Sequence, residues 1–396
     1  MSAPSDTLRS GTLSERLGFR PAVVELGHTH PSVRRVMAGA GGTLSFLVTL
    51  DDDRLEALEV EIGIGHRGFE HEVESRAFAE ALPYVARLGY ASGAIAQVGY
   101  CLALESLAGL VVSPRATWLR TLVCELARIT DHLARIAALA TALGASDAER
   151  AVQQGEVVAM RLLTAAIGGS PIGPWACPGG VATDLPVDFG DAWGRARVQL
   201  ELTLARIAAL LLENPTAVQR LCDVAPLSAA DAHALAVTGP CLRAAGVARD
   251  RRRDEPYLAY GEVEFDVAIG ETGDDYDRLA VVVEEIRQSL RIAEQCLRRL
   301  GEADLRTAAH PISASAPDSG PVSIPAGEVM TSIESSTGEL GFFLVSDGSG
   351  RPRRIRCRAP SFFHARALQT VLVHARLDDL LPTAALFHLV SGECDR

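Results

Sequence analysis

"RATWLRTLVCELARITDHLARIAALATALG", residues 115–144, carries one helical rhythm. Leu119, Leu122, Val123, Leu126, Ile129 and Leu133 recur at three- and four-residue spacings and form a single apolar face on a 3.6-residue helix. Pro114 stands just before the stretch, at a position where a helix tolerates proline. Between the apolar positions run Arg120, Glu125, Arg128 and His132, spaced so that several share a second face. On a solvated helix these would be an ion-paired surface. Inside a bundle, such a polar stripe would build a site or bind a partner.

Four further segments share the helical period: 78–110, 147–168, 187–214 and 274–300. "LSAADAHALAVTGP" (227–240) reads as a short helix with Ser228 as its N-cap. Residues 22–60 are strand-like in three pieces, "PAVVELGHTH", "GTLSFLVTL" and "LEALEVEIGIG", with "DDDR" (51–54) as a turn. A second β-like stretch, "ELGFFLVSDGSGRPRRIRCRAPSF", has "SDGSG" (346–350) as its hairpin turn. A helix at roughly 363–377 and an apolar run at 383–390 follow it. The reading is α+β, mainly α: a long-helix bundle with small β regions at both ends. Its expected divisions are a tail (1–21), an N-terminal β region (22–65), a helical core (66–300), a Pro/Ser-rich connector (301–330) and a C-terminal β/α region (331–396).

At 396 residues, with 48% hydrophobic and 22% charged residues, the chain is long enough for sub-domains around one larger core. A net charge of −12 argues against nucleic-acid binding by the chain as a whole. The basic run at 249–253 is interrupted by Asp250 and flanked by Asp254 and Glu255, so a solvated loop or partner contact is expected there. No secretory signal is expected. "AIAQVGYCLALESLAGLVV" (94–112), the best candidate for a membrane span, carries Glu105 at its middle. The eight cysteines show no CxxC spacing and read as small buried hydrophobes.

Motifs alone leave the chemistry open. "HRGFEHEVESR" (66–76) sets His66, Glu70 and Glu74 one turn apart, a spacing that suits a divalent metal, a proton relay or an ion-paired helical turn. His28 and His30 in "GHTHP" would share a face if extended, but no acid or cysteine lies beside them. No phosphate loop or GxSxG elbow occurs.

An ordered set of motifs does carry information: "GHTHPSV" (27–33), "GIGHRGFE" (63–70), "ALPYVARLGY" (81–90), "LRTLVCELARITDHL" (119–133), "GGVATDLP" (179–186), "TGPCLRAAGV" (238–247), "RRDEPYLAYG" (252–261), "GELGFFLVSDGSGRP" (338–352) and "SGECDR" (391–396). Together they resemble the D-type subunits of respiratory complex I, the quinone-site subunits, which are related to the large subunit of nickel–iron hydrogenases. The resemblance runs from about Gly27 to Arg396. It implies a peripheral-arm subunit of an NADH:quinone oxidoreductase, not active alone, on the cytoplasmic face of the membrane. Its implied partners are a B-like iron–sulfur subunit, a C-like subunit and the membrane-arm subunits. Quinone would be the substrate, and this chain would hold no cofactor or metal. The iron–sulfur cluster would sit in the partner, with NADH and flavin elsewhere in the complex.

The resemblance also implies roles. Tyr90 matches the tyrosine that hydrogen-bonds the quinone head group, and Arg87 the arginine near the partner's cluster. His30 and Arg34 match the two quinone-side histidine positions, so one histidine is replaced. The aspartate that supports that histidine falls on Ala142, the acid before the tyrosine on Gly89, and a histidine near the cluster on Gly173. The hydrogenase cysteine positions read Gly89, Ser92, Val390 and Glu393, which removes thiolate ligation. The alternative reading is a divergent structural subunit that keeps the fold of a complex I-like or membrane-hydrogenase-like assembly with a degenerate site.

Overall fold

The computed structural model describes residues 22–40, 42–302 and 324–396. The expected tail (1–21) and most of the expected connector lie outside the described residues. The architecture is α+β, mainly α, as the periodicities require. At its centre is the 29-residue helix α4 (Pro114–Ala142). Ser113 caps it by accepting from the Ala116 amide at 3.3 Å, with Pro114 in the first turn. Nearly every side chain from Ala116 to Ala140 is buried, so the helix is covered on all sides.

Around α4 pack α3 (Gly93–Ala108), α5 (Ser146–Ile167) and α7 (Asp275–Leu300), while α6 (Phe189–Ile207) lies against α5. Asp274 caps α7, and Arg298 and Arg299 close its last turn, each matching the sign of the helix dipole at that end. Ser228 caps its short helix as its spacing predicts, accepting from the Asp231 amide.

The N-terminal sheet is antiparallel, β1 (Ala22–Leu26), β2 (Ser45–Asp51) and β3 (Arg54–Glu61), in that order. Between β1 and β2 the strand-like reading of 22–60 fails. Residues Pro31–Ala40 form helix α1, whose Val33, Val36 and Met37 are buried at i, i+3 and i+4. The proline cannot donate to a ladder but fits a helix's first turn. His28 and His30 therefore lie in a turn and not on an extended face. The helical period expected over 78–110, at the start of the helical core, is also broken. Only α2 (Phe69–Glu74) and short turns at Phe78–Ala81 and Leu82–Val85 precede α3.

Two short strands, β4 (Ala176–Cys177) and β5 (Gly180–Val181), form a small hairpin after α5. The C-terminal sheet, β6 (Gly327–Glu334), β7 (Glu339–Ser346) and β8 (Pro352–Arg358), is an antiparallel meander. The "SDGSG" turn joins β7 to β8, with positive φ at Gly348 and Gly350, a conformation that suits glycine. The other turn of the meander, 335–338, is buried against α4. Helices α8 (Pro360–Val371), α9 (Leu380–Phe387) and α10 (Ser391–Cys394) close the chain. α8 starts and stops earlier than the expected 363–377, and the apolar run is helical.

Candidate functional site

The polar residues of α4 are buried, and most of them are matched. Glu125 accepts from Tyr260 and Ser289 at 2.6 Å each, from Arg252 at 3.2 Å and from Arg128 at 3.3 Å. Burial alone would raise its pKa, but Arg128 and Arg252 hold it below the usual carboxylate value. Arg128 also donates to the backbone carbonyls of Glu334 and Ser335 at 2.8 Å, fastening β6 to the helix. One turn on, His132 Nε2 meets Glu285 Oε2 at 2.9 Å, and Glu285 also binds Arg243 at 2.6 Å. Burial and the nearby Arg135 push His132 down to about 4, against the pull of Glu285, so the imidazole is neutral and donates. Arg120, buried too, belongs elsewhere. It grips Glu105 on α3 through two bonds of 2.6 and 2.9 Å and pins the β4–β5 hairpin at the Cys177 and Gly180 carbonyls.

The basic run contributes to this network. Arg252 is buried between Asp250, 2.6 Å away, and Glu125, which corrects the expected solvated loop at that residue, while Arg249 and Arg253 are exposed. The motif at 66–76 resolves into ion pairs: Glu70 with Arg356 at 2.6 Å and Glu74 with Arg354 at 3.2 Å, tying α2 to β8. Among the described residues no group of three or more histidines, cysteines or carboxylates could hold a metal.

A cavity of about 740 Å³ opens where α1, the turn before α3, α4, α5 and the 169–175 loop meet. Arg34 and Tyr90, far apart in sequence, both line it. Tyr90 is 48% exposed, and no protein hydrogen bond is made by its hydroxyl among the described residues. Ala91, Ala134, Met160, Pro171, Ile172 and Val390 supply apolar wall, and His28 stands at the exposed rim. Two carboxyl groups that no motif singles out complete it: Asp131 from α4 and Glu156 from α5. Burial lifts Asp131 above the ordinary carboxylate value, although Ser336, Arg135 and Ser92 oppose it. Glu156 is lifted by burial and then by the charge of Asp131.

Behind Asp131 the polar contacts are fewer than around Glu125. Its Oδ2 accepts from the Ser336 hydroxyl and faces His388 Nε2 at 3.5 Å. Arg135 donates to His388 Nδ1 and to the Ser336 carbonyl, and its Nε and one terminal nitrogen find no protein acceptor among the described residues. Burial and Arg135 keep His388 far below its ordinary value, hence neutral.

The remaining sequence candidates are separated from this cavity. His30 is half-buried and lines another groove, of about 340 Å³, whose lining includes Thr141 and Ala142 but not Arg34. Arg87 is exposed on the outer side of the same turn as Tyr90, with one Nη donating to the Pro83 carbonyl at 2.8 Å. Partial desolvation and the like charge of Arg87 lower the pKa of Arg67, so these arginines share one surface.

The glycines of "YVARLGYASG" have distinct jobs. A Cβ on Gly93 would fall 2.4 Å from the Ala86 carbonyl oxygen, so this glycine serves close packing. A Cβ on Gly89 would fall 2.4 Å from Ser92 Oγ, the hydroxyl that hydrogen-bonds Asp131. The turn also abuts the C-terminus, since a Cβ on Gly392 would lie 2.4 Å from the Arg87 carbonyl oxygen. Of the four positions Gly89, Ser92, Val390 and Glu393, only Glu393 carries a charge-bearing group. It is committed to the Thr337 hydroxyl at 2.7 Å and to the Ser361 amide and hydroxyl.

The amino-acid sequence of this helical scaffold matches one class of known protein. The family described as "Respiratory-chain NADH dehydrogenase, 49 Kd subunit" matches residues 151–396. The D-type subunit of the NADH-quinone oxidoreductase of Pelobacter propionicus is 32% identical over 394 residues, 94% of this chain and 95% of the relative. The second such subunit of Anaeromyxobacter sp. strain K is 32% identical, covering 98% and 94%. Its counterpart in Ehrlichia canis is 32% identical, covering 97% and 100%. The chain belongs to this family, the D-type subunits of NADH-quinone oxidoreductase.

Proposed function

We propose that this chain is the quinone-site subunit of a complex I-like NADH:quinone oxidoreductase, with the quinone head group in the cavity lined by Tyr90 and Arg34. The observation that carries this reading is the convergence of Tyr90 and Arg34 on one open cavity with an apolar wall. A quinone ring is flat and apolar, with two carbonyl oxygens that gain negative charge on reduction. Sites for such molecules are largely apolar with a few placed donors. The Tyr90 hydroxyl donates to one oxygen as charge develops, and the fixed charge of Arg34 favours the reduced form. Arg34 substitutes for a histidine in binding but not in proton delivery, because a guanidinium does not deprotonate in proteins.

Electrons reach the quinone one at a time from an iron–sulfur cluster in a B-like partner seated over the Arg67–Arg87 surface. NADH oxidation and its flavin belong to other subunits, and C-like and membrane-arm subunits complete the surroundings. Among the described residues no helix is long and apolar enough to cross a membrane. On this reading the chain sits peripherally on the cytoplasmic face, held by its neighbours.

Tyr90→Phe in the assembled complex tests the reading. The turnover of quinone reduction should fall at least about tenfold, since losing one placed donor to a developing oxyanion costs that much or more. NADH oxidation by a water-soluble one-electron acceptor should not change. Unaltered quinone reduction would leave the chain a structural subunit with a degenerate site.

A further inference from the structure

Reducing a quinone to a quinol consumes two electrons and two protons, and neither Arg34 nor the exposed tyrosine explains where the protons are stored. Among the groups lining the cavity, the N-terminal turn contributes His28, α1 Arg34, the turn before α3 Tyr90, α4 Asp131 and α5 Glu156. Arg135 and His388 stand behind Asp131, His388 at 3.5 Å and Arg135 close enough to act on its charge. The histidine–aspartate pair implied by the resemblance is missing here, since Arg34 and Ala142 occupy its positions.

We propose that Asp131 is the proton donor of this cavity and that Glu156 reloads it from solvent. The assignment rests on the quinone reading of the cavity. At each of two successive steps the quinone takes one electron from the partner's iron–sulfur cluster. A quinone oxygen forms an O–H bond as the Asp131 O–H bond breaks. Two such steps give the quinol, and each time Glu156 returns a proton to the Asp131 carboxylate and recovers one from water.

Three observations favour Asp131 over the other groups. It is 5% exposed yet reaches the cavity, so its proton is held away from bulk water. The carboxylate it leaves behind has receivers in place: the hydroxyls of Ser336 and Ser92 and the charge of Arg135, which has no carboxylate of its own within ion-pair distance among the described residues. Glu156 lies close enough for the charge of Asp131 to raise its pKa and is half-buried, as an intermediate between donor and solvent requires. His28, by contrast, is exposed at the rim. The absence of a side chain at Gly89 belongs to the same arrangement, because it leaves Ser92 Oγ its place against Asp131.

The test uses membranes carrying the assembled complex, with a short-chain quinone analogue as substrate. A water-soluble acceptor that bypasses the cavity counts intact complexes. Asp131→Asn should lower the turnover at least about tenfold, the lower range for losing a general acid, while KM for the quinone stays within about twofold. Asp131→Glu should restore part of the rate. Glu156→Gln should slow turnover most at alkaline pH, where protons are scarce. Wild-type turnover in Asp131→Asn, or a comparable loss in His28→Gln but not Asp131→Asn, overturns the assignment. If Asp131→Asn does not assemble, Glu156→Gln decides alone: a pH profile like the wild type's overturns it. Quinone binding separates the two readings. A complex that binds no quinone at the cavity and ignores Tyr90→Phe defeats the quinone reading itself. Normal binding and Tyr90-dependent turnover with an indifferent Asp131→Asn defeats only the donor.

Discussion

Glu125 and Asp131 lie six residues apart on α4, both buried, yet their surroundings treat them oppositely. Glu125 accepts from two arginines, a tyrosine and a serine, and is held ionised well inside the protein. Asp131 has serine hydroxyls, a neutral histidine and a cavity, and is held above its ordinary value. A buried carboxylate with its donors complete is a structural tie, binding α4 to α7 and to the 250–260 segment. One left partly matched beside a cavity keeps the freedom to exchange a proton, which costs stability and serves chemistry.

The largest effect comes from emptying the matched network. Arg243→Ala leaves Glu285 and Glu334 without their cation, and removing one partner of a buried pair costs about 3–5 kcal/mol. Denaturant unfolding of the purified chain should show that loss. A variant within about 1 kcal/mol of wild type would mean the network is not structural.

Acid separates the two carboxylates next. Glu125 and Glu285 have folded pKa values below the ordinary 4.5, so their stabilisation is complete above that value. It is lost as pH falls through the folded values. Asp131 has the opposite sign. Its folded value lies above 3.8, so stability falls as pH rises from there through the folded value. Thermal unfolding at neutral pH should therefore rank Asp131→Asn at or above wild type, and Glu125→Gln below it. Equal destabilisation by the two would erase the distinction.

The smallest effect is expected at Gly89→Ala. The added Cβ displaces the Ser92 hydroxyl from Asp131, leaving the fold intact and changing stability by no more than about 1 kcal/mol. Quinone turnover should decline without loss of assembled complex.

The long helices and the "SDGSG" turn are legible in the sequence because their periods are uninterrupted and the turn residues specific. The pairing of Tyr90 with Arg34 comes from the resemblance, and no spacing rule joins residues so far apart. Helix α1 escapes the sequence because Val33, Val36 and Met37 follow a strand-like run and a proline that closes strands as readily as it opens helices. Arg252 reads as solvated because Asp250 and Asp254 interrupt the basic run, while the partner that buries it, Glu125, lies 127 residues away. Asp131 is hidden for a related reason. Beside His132 in "ITDHL" it is one more polar position, and what marks it out, Ser336 and His388, comes from the other end of the chain. Glu156 sits on an amphipathic helix where a glutamate is unremarkable.

Photo-crosslinking with an azido-quinone in the assembled complex asks directly where the quinone sits. Label is expected on this chain in the peptides that carry Tyr90, Met160 and Ile172, displaced by excess quinone and reduced by Tyr90→Phe. Label confined to other surfaces, or unaffected by competing quinone, would contradict a head group held between Tyr90 and Arg34.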